Sequence, residues 1–143
     1  MKTCSQTHDA LSARLASIGL RATRQRDVVY SVILGKRDHP TADEIFSRVK
    51  ARLPGISLAT VYNCLETLVQ CGLVRQVNFE RESTRYCPNL SEHAHFHDDS
   101  TGCIHDIPLP ADTTAHLRRL LPRGFDAASV ELSFRGRATN TAN

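Results

Sequence analysis

His93-Ala94-His95 sets two imidazoles two residues apart, and on an extended strand that spacing points both rings to the same side, where they can grip one cation. Two nitrogens do not complete the coordination sphere of iron, manganese or zinc. His39, Cys87 and Asp106 are the further residues in this chain with donor chemistry to finish it. The set points to metal sensing. A metal hydrolase built on His93, His95 and Asp106 would need a glutamate spaced to act as general base, and none is so placed, so no enzyme is expected.

Donors this far apart in sequence must be gathered by a fold. Residues 9–18 place Leu11, Leu15 and Ile18 at helical spacing before Gly19, which predicts a first helix. Thr23 is placed to cap a second, with Val28, Val32 and Ile33 as its apolar stripe and Gly35 at its end. His39-Pro40 follows as a turn. Thr41 then caps a third helix carrying Ala42, Ile45, Phe46 and Val49, which Pro54-Gly55 closes. Ser57 opens a fourth, with Leu58, Val61, Leu65 and Leu68 facing inward.

After Gly72 the pattern shifts to strands at 73–79 and 85–87 around a polar turn. Helices followed by such a hairpin predict a winged helix-turn-helix over residues 1–88. In that arrangement the last helix enters the major groove of DNA. The side chains facing away from its apolar stripe, Ala59, Thr60, Tyr62 and Asn63, are the candidates for base contact, although Tyr62 could instead fill the seam between helices. Arg21, Arg24 and Arg26 precede or open the second helix, where they suit phosphate contacts or simply form a solvated face.

Residues 89–143 read as a small α/β lobe, with strands near 93–96 and 103–107, a helix over 111–121 and a last strand at 129–134, where Val130, Leu132 and Phe134 alternate with polar residues. The whole is therefore α+β. One small sheet is marginal alone, so burial across a two-fold axis is expected, and a homodimer also matches palindromic double-stranded operator DNA.

Charge divides the same way. Residues 1–88 hold 13 Lys and Arg against 8 Asp and Glu, a net +5, while residues 89–143 hold 5 against 7, a net −2. A basic front half suits a polyanion. The five cysteines are odd in number and lack a Cys-x-x-Cys pair, so neither a disulfide framework nor a four-thiolate zinc knot is announced. With no apolar run long enough to span a bilayer and no signal-like start, the expectation is a soluble, cytoplasmic protein with no membrane partner.

Four segments, taken in order, resemble the ferric uptake regulator (Fur) superfamily across residues 20–136. They are Leu20-Arg21-Ala22-Thr23-Arg24-Gln25-Arg26, His39-Pro40-Thr41-Ala42-Asp43-Glu44-Ile45-Phe46, Ser57-Leu58-Ala59-Thr60-Val61-Tyr62-Asn63 and Glu92-His93-Ala94-His95-Phe96. The resemblance implies a homodimeric, metal-dependent transcriptional repressor that senses iron status or peroxide. It also implies a regulatory site joining the two domains, made here by His39, His93, His95 and Asp106, with Fe2+ or Mn2+ as occupant and Zn2+ as surrogate. Asp106 matches a carboxylate of the peroxide-sensing (PerR) branch.

Three positions depart from the family pattern. Cys87 stands where relatives carry Asp or Glu, and as a thiolate ligand it would soften the site, while the bland alternative is an inert buried thiol. Cys87-Pro88 is also the pair associated with haem in iron response regulator (Irr) relatives, which leaves a haem-responsive regulator as the alternative function. Asp98-Asp99-Ser100-Thr101 replaces the usual Cys-x-x-Cys, so no structural zinc is expected, as in zinc-less PerR and Irr proteins. Asn63 replaces a common arginine of the recognition helix.

Overall fold

The computed structural model describes residues 4–139, and the chain divides into two compact units, Met1–Leu90 and Ser91–Asn143. The fold is α+β. In the first unit four helices run α1 Cys4–Ser17, α2 Arg24–Gly35, α3 Ala42–Lys50 and α4 Leu58–Gln70, followed by strands β1 Arg75–Val77 and β2 Arg85–Cys87. The hydroxyls predicted to cap α2, α3 and α4 do so. Thr23, Thr41 and Ser57 accept from the backbone N–H groups of Arg26, Glu44 and Thr60 at 3.2, 3.3 and 3.1 Å, each cap contributing about 1 kcal/mol.

The apolar stripes of the four helices meet in one core, in which Leu15, Val29, Ile33, Ile45, Val49, Val61, Leu65 and Leu68 are fully buried. α1 begins at Cys4, ahead of the start predicted at residue 9. Among the described side chains of α1, Leu11 and Leu15 reach the core. β1 and β2 pair antiparallel as a hairpin, with Gln76 opposite Tyr86. The first strand is shorter than the predicted 73–79 because Leu73 and Val74 turn into the helical core before pairing starts.

The second unit is a three-stranded sheet with β3 His93–Asp98 at its centre, β4 Ile104–Pro108 antiparallel on one side and β5 Ser133–Gly136 parallel on the other. Two expected elements differ. The helix predicted over 111–121 is α5, Thr113–Arg118 only. Asp112 gives it no side-chain cap, Thr114 is its one buried residue, and tighter turns through Leu120 and Leu121 follow. The last strand forms later than 129–134, with Leu132 only lending its carbonyl to His95 N–H at 3.1 Å before β5 begins. Phe134, assigned by alternation to a half-buried face, is 50% exposed.

Candidate metal centre and nucleic-acid surface

In the second unit the period of a strand does the positioning. His93 and His95 lie on one side of β3, and the β3–β4 register sets His95 opposite Asp106. Their Nε2 atoms are 3.1 Å apart, and Asp106 Oδ1 stands 3.5 Å from the first and 3.4 Å from the second. Ligands about 2.1 Å from a common ion sit about 3.0–3.4 Å from one another, so these three atoms have the separations of one coordination sphere. His93 Nδ1 lies 2.6 Å from the Ser91 carbonyl. A carbonyl only accepts, so Nδ1 carries the proton and the Nε2 lone pair faces the cluster. A lone pair, a second imidazole nitrogen and a carboxylate converging at this range fit a cation between them.

In the first unit the donors are held by a different device. His39 has φ 54, a left-handed conformation unusual for a residue other than glycine, costing about 1–3 kcal/mol and kept only where surroundings enforce it. Tyr86 N–H donates to the Pro40 carbonyl at 2.9 Å, Thr41 bridges Arg85, and Arg85 Nη1 donates to the His39 carbonyl at 3.1 Å. This stitching sets β2 against the His39–Pro40 turn, and donor atoms of His39 and Cys87 fall within 4.8 Å of each other. Both residues are buried. Before the turn, Asp38 takes a two-pronged grip from Arg48 of α3 at 2.9 and 2.7 Å, and hydrogen bonding to that guanidinium holds the Asp38 carboxyl below its ordinary range.

An imidazole–thiol pair and an imidazole pair with a carboxylate are donor sets that iron and zinc accept readily, with manganese disfavoured by the sulfur. Cys87 is 1% exposed, so a haem face could reach its sulfur only if that strand end opened. His97 is buried and lies 3.2 Å from Asp99, while His105 is exposed.

Where the family pattern has Cys-x-x-Cys, this chain closes the β3–β4 connection on itself. The Asp98 carboxylate accepts from Ser100 N–H at 2.9 Å and from Ser100 Oγ at 2.5 Å, and Gly102 N–H donates to the Asp98 carbonyl at 2.8 Å. Gly102 supplies φ 75 for the turn. No disulfide joins Cys64, Cys71, Cys87 or Cys103, and the side chain of Cys4 lies outside the described residues.

On α4, Ala59, Tyr62 and Asn63 are exposed, and Tyr62 at 48% exposure lies outside the core seam. Thr60 is half-buried and its hydroxyl sits 2.9 Å from Ser57 Oγ, within the cap. Arg21 and Arg24 are exposed. Arg26 is instead folded back, Nη1 donating to the Arg21 carbonyl at 2.7 Å, which fixes the approach to α2. Arg48 and Arg52 were not singled out from sequence, since their roles depend on contacts with residues 38 and 31 that no local pattern encodes. Among the described residues no helix is long and apolar enough to cross a membrane.

Comparison with known proteins bears on the family of the chain. The model of the ferric uptake regulator family matches residues 17–135. The peroxide-responsive repressor PerR of Staphylococcus epidermidis is 34% identical over 98 residues, covering 68% of this chain and 65% of that protein. PerR of Staphylococcus aureus strain Mu50 is also 34% identical over 98 residues, 68% of this chain and 66% of its own length. The chain thus spans about two thirds of these curated relatives. By structure, the Helicobacter pylori ferric uptake regulator Fur superposes with TM-score 0.77 at 19% identity, covering 96% of this chain and 93% of that one. The Campylobacter jejuni peroxide stress regulator gives TM-score 0.68 at 24% identity, covering 99% and 100%. Matched over most of its length, the chain belongs to the ferric uptake regulator family.

Proposed function

We propose that this protein is a homodimeric, metal-dependent transcriptional repressor, responding to iron status or peroxide, that presents α4 to the major groove of palindromic operator DNA. The observation that carries the reading is the convergence of His93 Nε2, His95 Nε2 and Asp106 Oδ1 at 3.1–3.5 Å, with the His93 tautomer set by Ser91. In this reading His39 and Cys87 complete the sphere, and a bound divalent ion supplies the energy that fixes the spacing of the two recognition helices. The residues of the chain do the rest. Ala59, Tyr62 and Asn63 meet base edges, and basic residues before α2 meet phosphates.

The first test uses duplexes selected from a random pool by wild-type protein loaded with Mn2+. Replacing His93 or His95 with Ala abolishes metal-stimulated binding to those duplexes and leaves the dimer intact. Binding that stays metal-stimulated would refute the corepressor role. For the peroxide arm, mass spectrometry of the iron-loaded protein after peroxide finds added oxygen on His39, His93 or His95. Oxygen confined to cysteines would replace histidine chemistry by thiol chemistry.

A further inference from the structure

The first turn of α2 and the loop leading into α4 enclose an open cleft of about 630 Å³, lined by Thr23, Arg24, Gln25, Arg52, Pro54 and Gly55 among others. Its lining holds two guanidinium groups and no acid. Most arginines with a defined contact in this unit are spoken for, Arg48 by Asp38 and Arg26 by the Arg21 carbonyl. Among the described residues Arg24 has no carboxylate partner, and neither has Arg52. Arg52 is held at one corner only, Nη1 donating to Ser31 Oγ at 2.8 Å, while Ser31 itself donates to the Val28 carbonyl at 3.0 Å. Two basic residues thus line one cleft, with no acid in its lining.

Gly55 adds an independent observation. A Cβ built there meets nothing within 4 Å, and its backbone is not in the left-handed region. The fold itself has no need of glycine at this position. What a methyl group would do is narrow the cleft.

We propose that this cleft seats a phosphate of the DNA backbone, clamped by Arg24 and Arg52 and admitted by Gly55. The inference rests on the reading that α4 enters the major groove. A helix entering that groove has the phosphates of the groove wall beside its N-terminal end, and the cleft opens immediately before Ser57, the cap of α4. Arg21 is exposed just ahead of α2, and Arg24 opens that helix. The contact carries no base information, so it sets register and affinity and leaves sequence preference to α4.

The test measures binding of the full-length, Mn2+-loaded protein to a labelled mixed-sequence duplex by fluorescence anisotropy across a salt series. Arg52→Gln and Arg24→Gln each weaken binding and flatten the slope of log K against log salt, and the double variant reduces it by about 0.9, the contribution of one neutralised phosphate. Arg52→Lys, which keeps the charge, retains the wild-type slope. Gly55→Ala leaves the melting temperature unchanged and lowers affinity. Should Arg52→Gln prove unstable, Arg24→Gln carries the result, since Arg24 is exposed and anchors no other element. A wild-type slope in both glutamine variants, with binding otherwise normal, overturns the cleft and leaves the DNA reading standing. A wild-type protein that binds no duplex at any salt overturns both.

Discussion

The two units hold their candidate metal donors by opposite means. In the first, His39 and Cys87 lean on a large core and on a turn forced into a left-handed conformation. In the second, His93, His95 and Asp106 are aligned by strand period and register, and almost no core stands behind them, because Ala94 and Ile104 are the buried hydrophobic residues of that unit. Ile107, Leu120, Leu121, Phe125 and Phe134 are exposed there instead, Leu120 at 69% and Phe125 at 68%. A three-stranded sheet with so little behind it is marginal by itself. The first unit carries its own core, while the second leaves apolar side chains exposed that the proposed homodimer would cover.

That contrast breaks most sharply under polar substitution. Phe134→Glu combined with Leu120→Glu weakens dimerisation by about three orders of magnitude, as for loss of two interface anchors contributing about 2 kcal/mol each. Sedimentation equilibrium reads the change, and the helical circular dichroism of the first unit persists. An unchanged dimer would place the covering contact elsewhere. The complementary variant, Leu65→Ala in the first unit, costs about 2–5 kcal/mol of stability through the cavity it leaves, whereas no single truncation in the second unit's own sheet approaches that.

Sequence made most of the first unit legible, although Ile18 and Leu58 of the predicted stripes are exposed and α1 and β1 have other bounds. Its helices carry their stripes, and its three caps are hydroxyls at the start of each stripe. The second unit was legible only where chemistry marked it. His93, His95 and Asp106 declared a face, but β5 was displaced because alternation at Val130, Leu132 and Phe134 reports a pattern and not a partner, and the partner is β3. His39 and Cys87 were singled out together for their donor chemistry, but what brings them together was hidden. It depends on Tyr86 pairing with Pro40 and on a positive φ at a histidine, and both are outcomes of packing between segments far apart in sequence.

A smaller effect sharpens the same comparison on the first unit's side. Arg48 grips Asp38 one residue before His39, with Asp38 a third exposed, so the pair contributes about 1 kcal/mol or less to stability. Its larger consequence is positional. Arg48→Ala lowers metal affinity about tenfold, the scale of losing a group that orients a ligand, while the melting temperature falls only slightly. Asp38→Asn does the same, and the double variant is no worse than either alone, which isothermal titration with Zn2+ in a double-mutant cycle measures. Additive losses would mean the two residues act on the turn separately.

The smallest effect lies in the second unit, at the turn that stands in place of the cysteine pair. Hydrogen bonds from the Ser100 hydroxyl, and next from its backbone N–H, hold the Asp98 carboxyl below its ordinary 3.8. A carboxyl whose folded value is depressed stabilises the fold above its unfolded value, and that stabilisation drains away as pH falls through the lower folded value. The turn therefore keeps its closure at neutral pH and loses it only in acid below 3.8. The Ser100 amide resonance followed by NMR titrates with a midpoint under 3.8, and Ser100→Ala moves the Asp98 midpoint upward by removing its strongest donor. A wild-type midpoint at or above the ordinary value would mean that the turn is closed by its backbone bonds and glycine alone. If the midpoint is depressed, a charged side chain is what closes this turn.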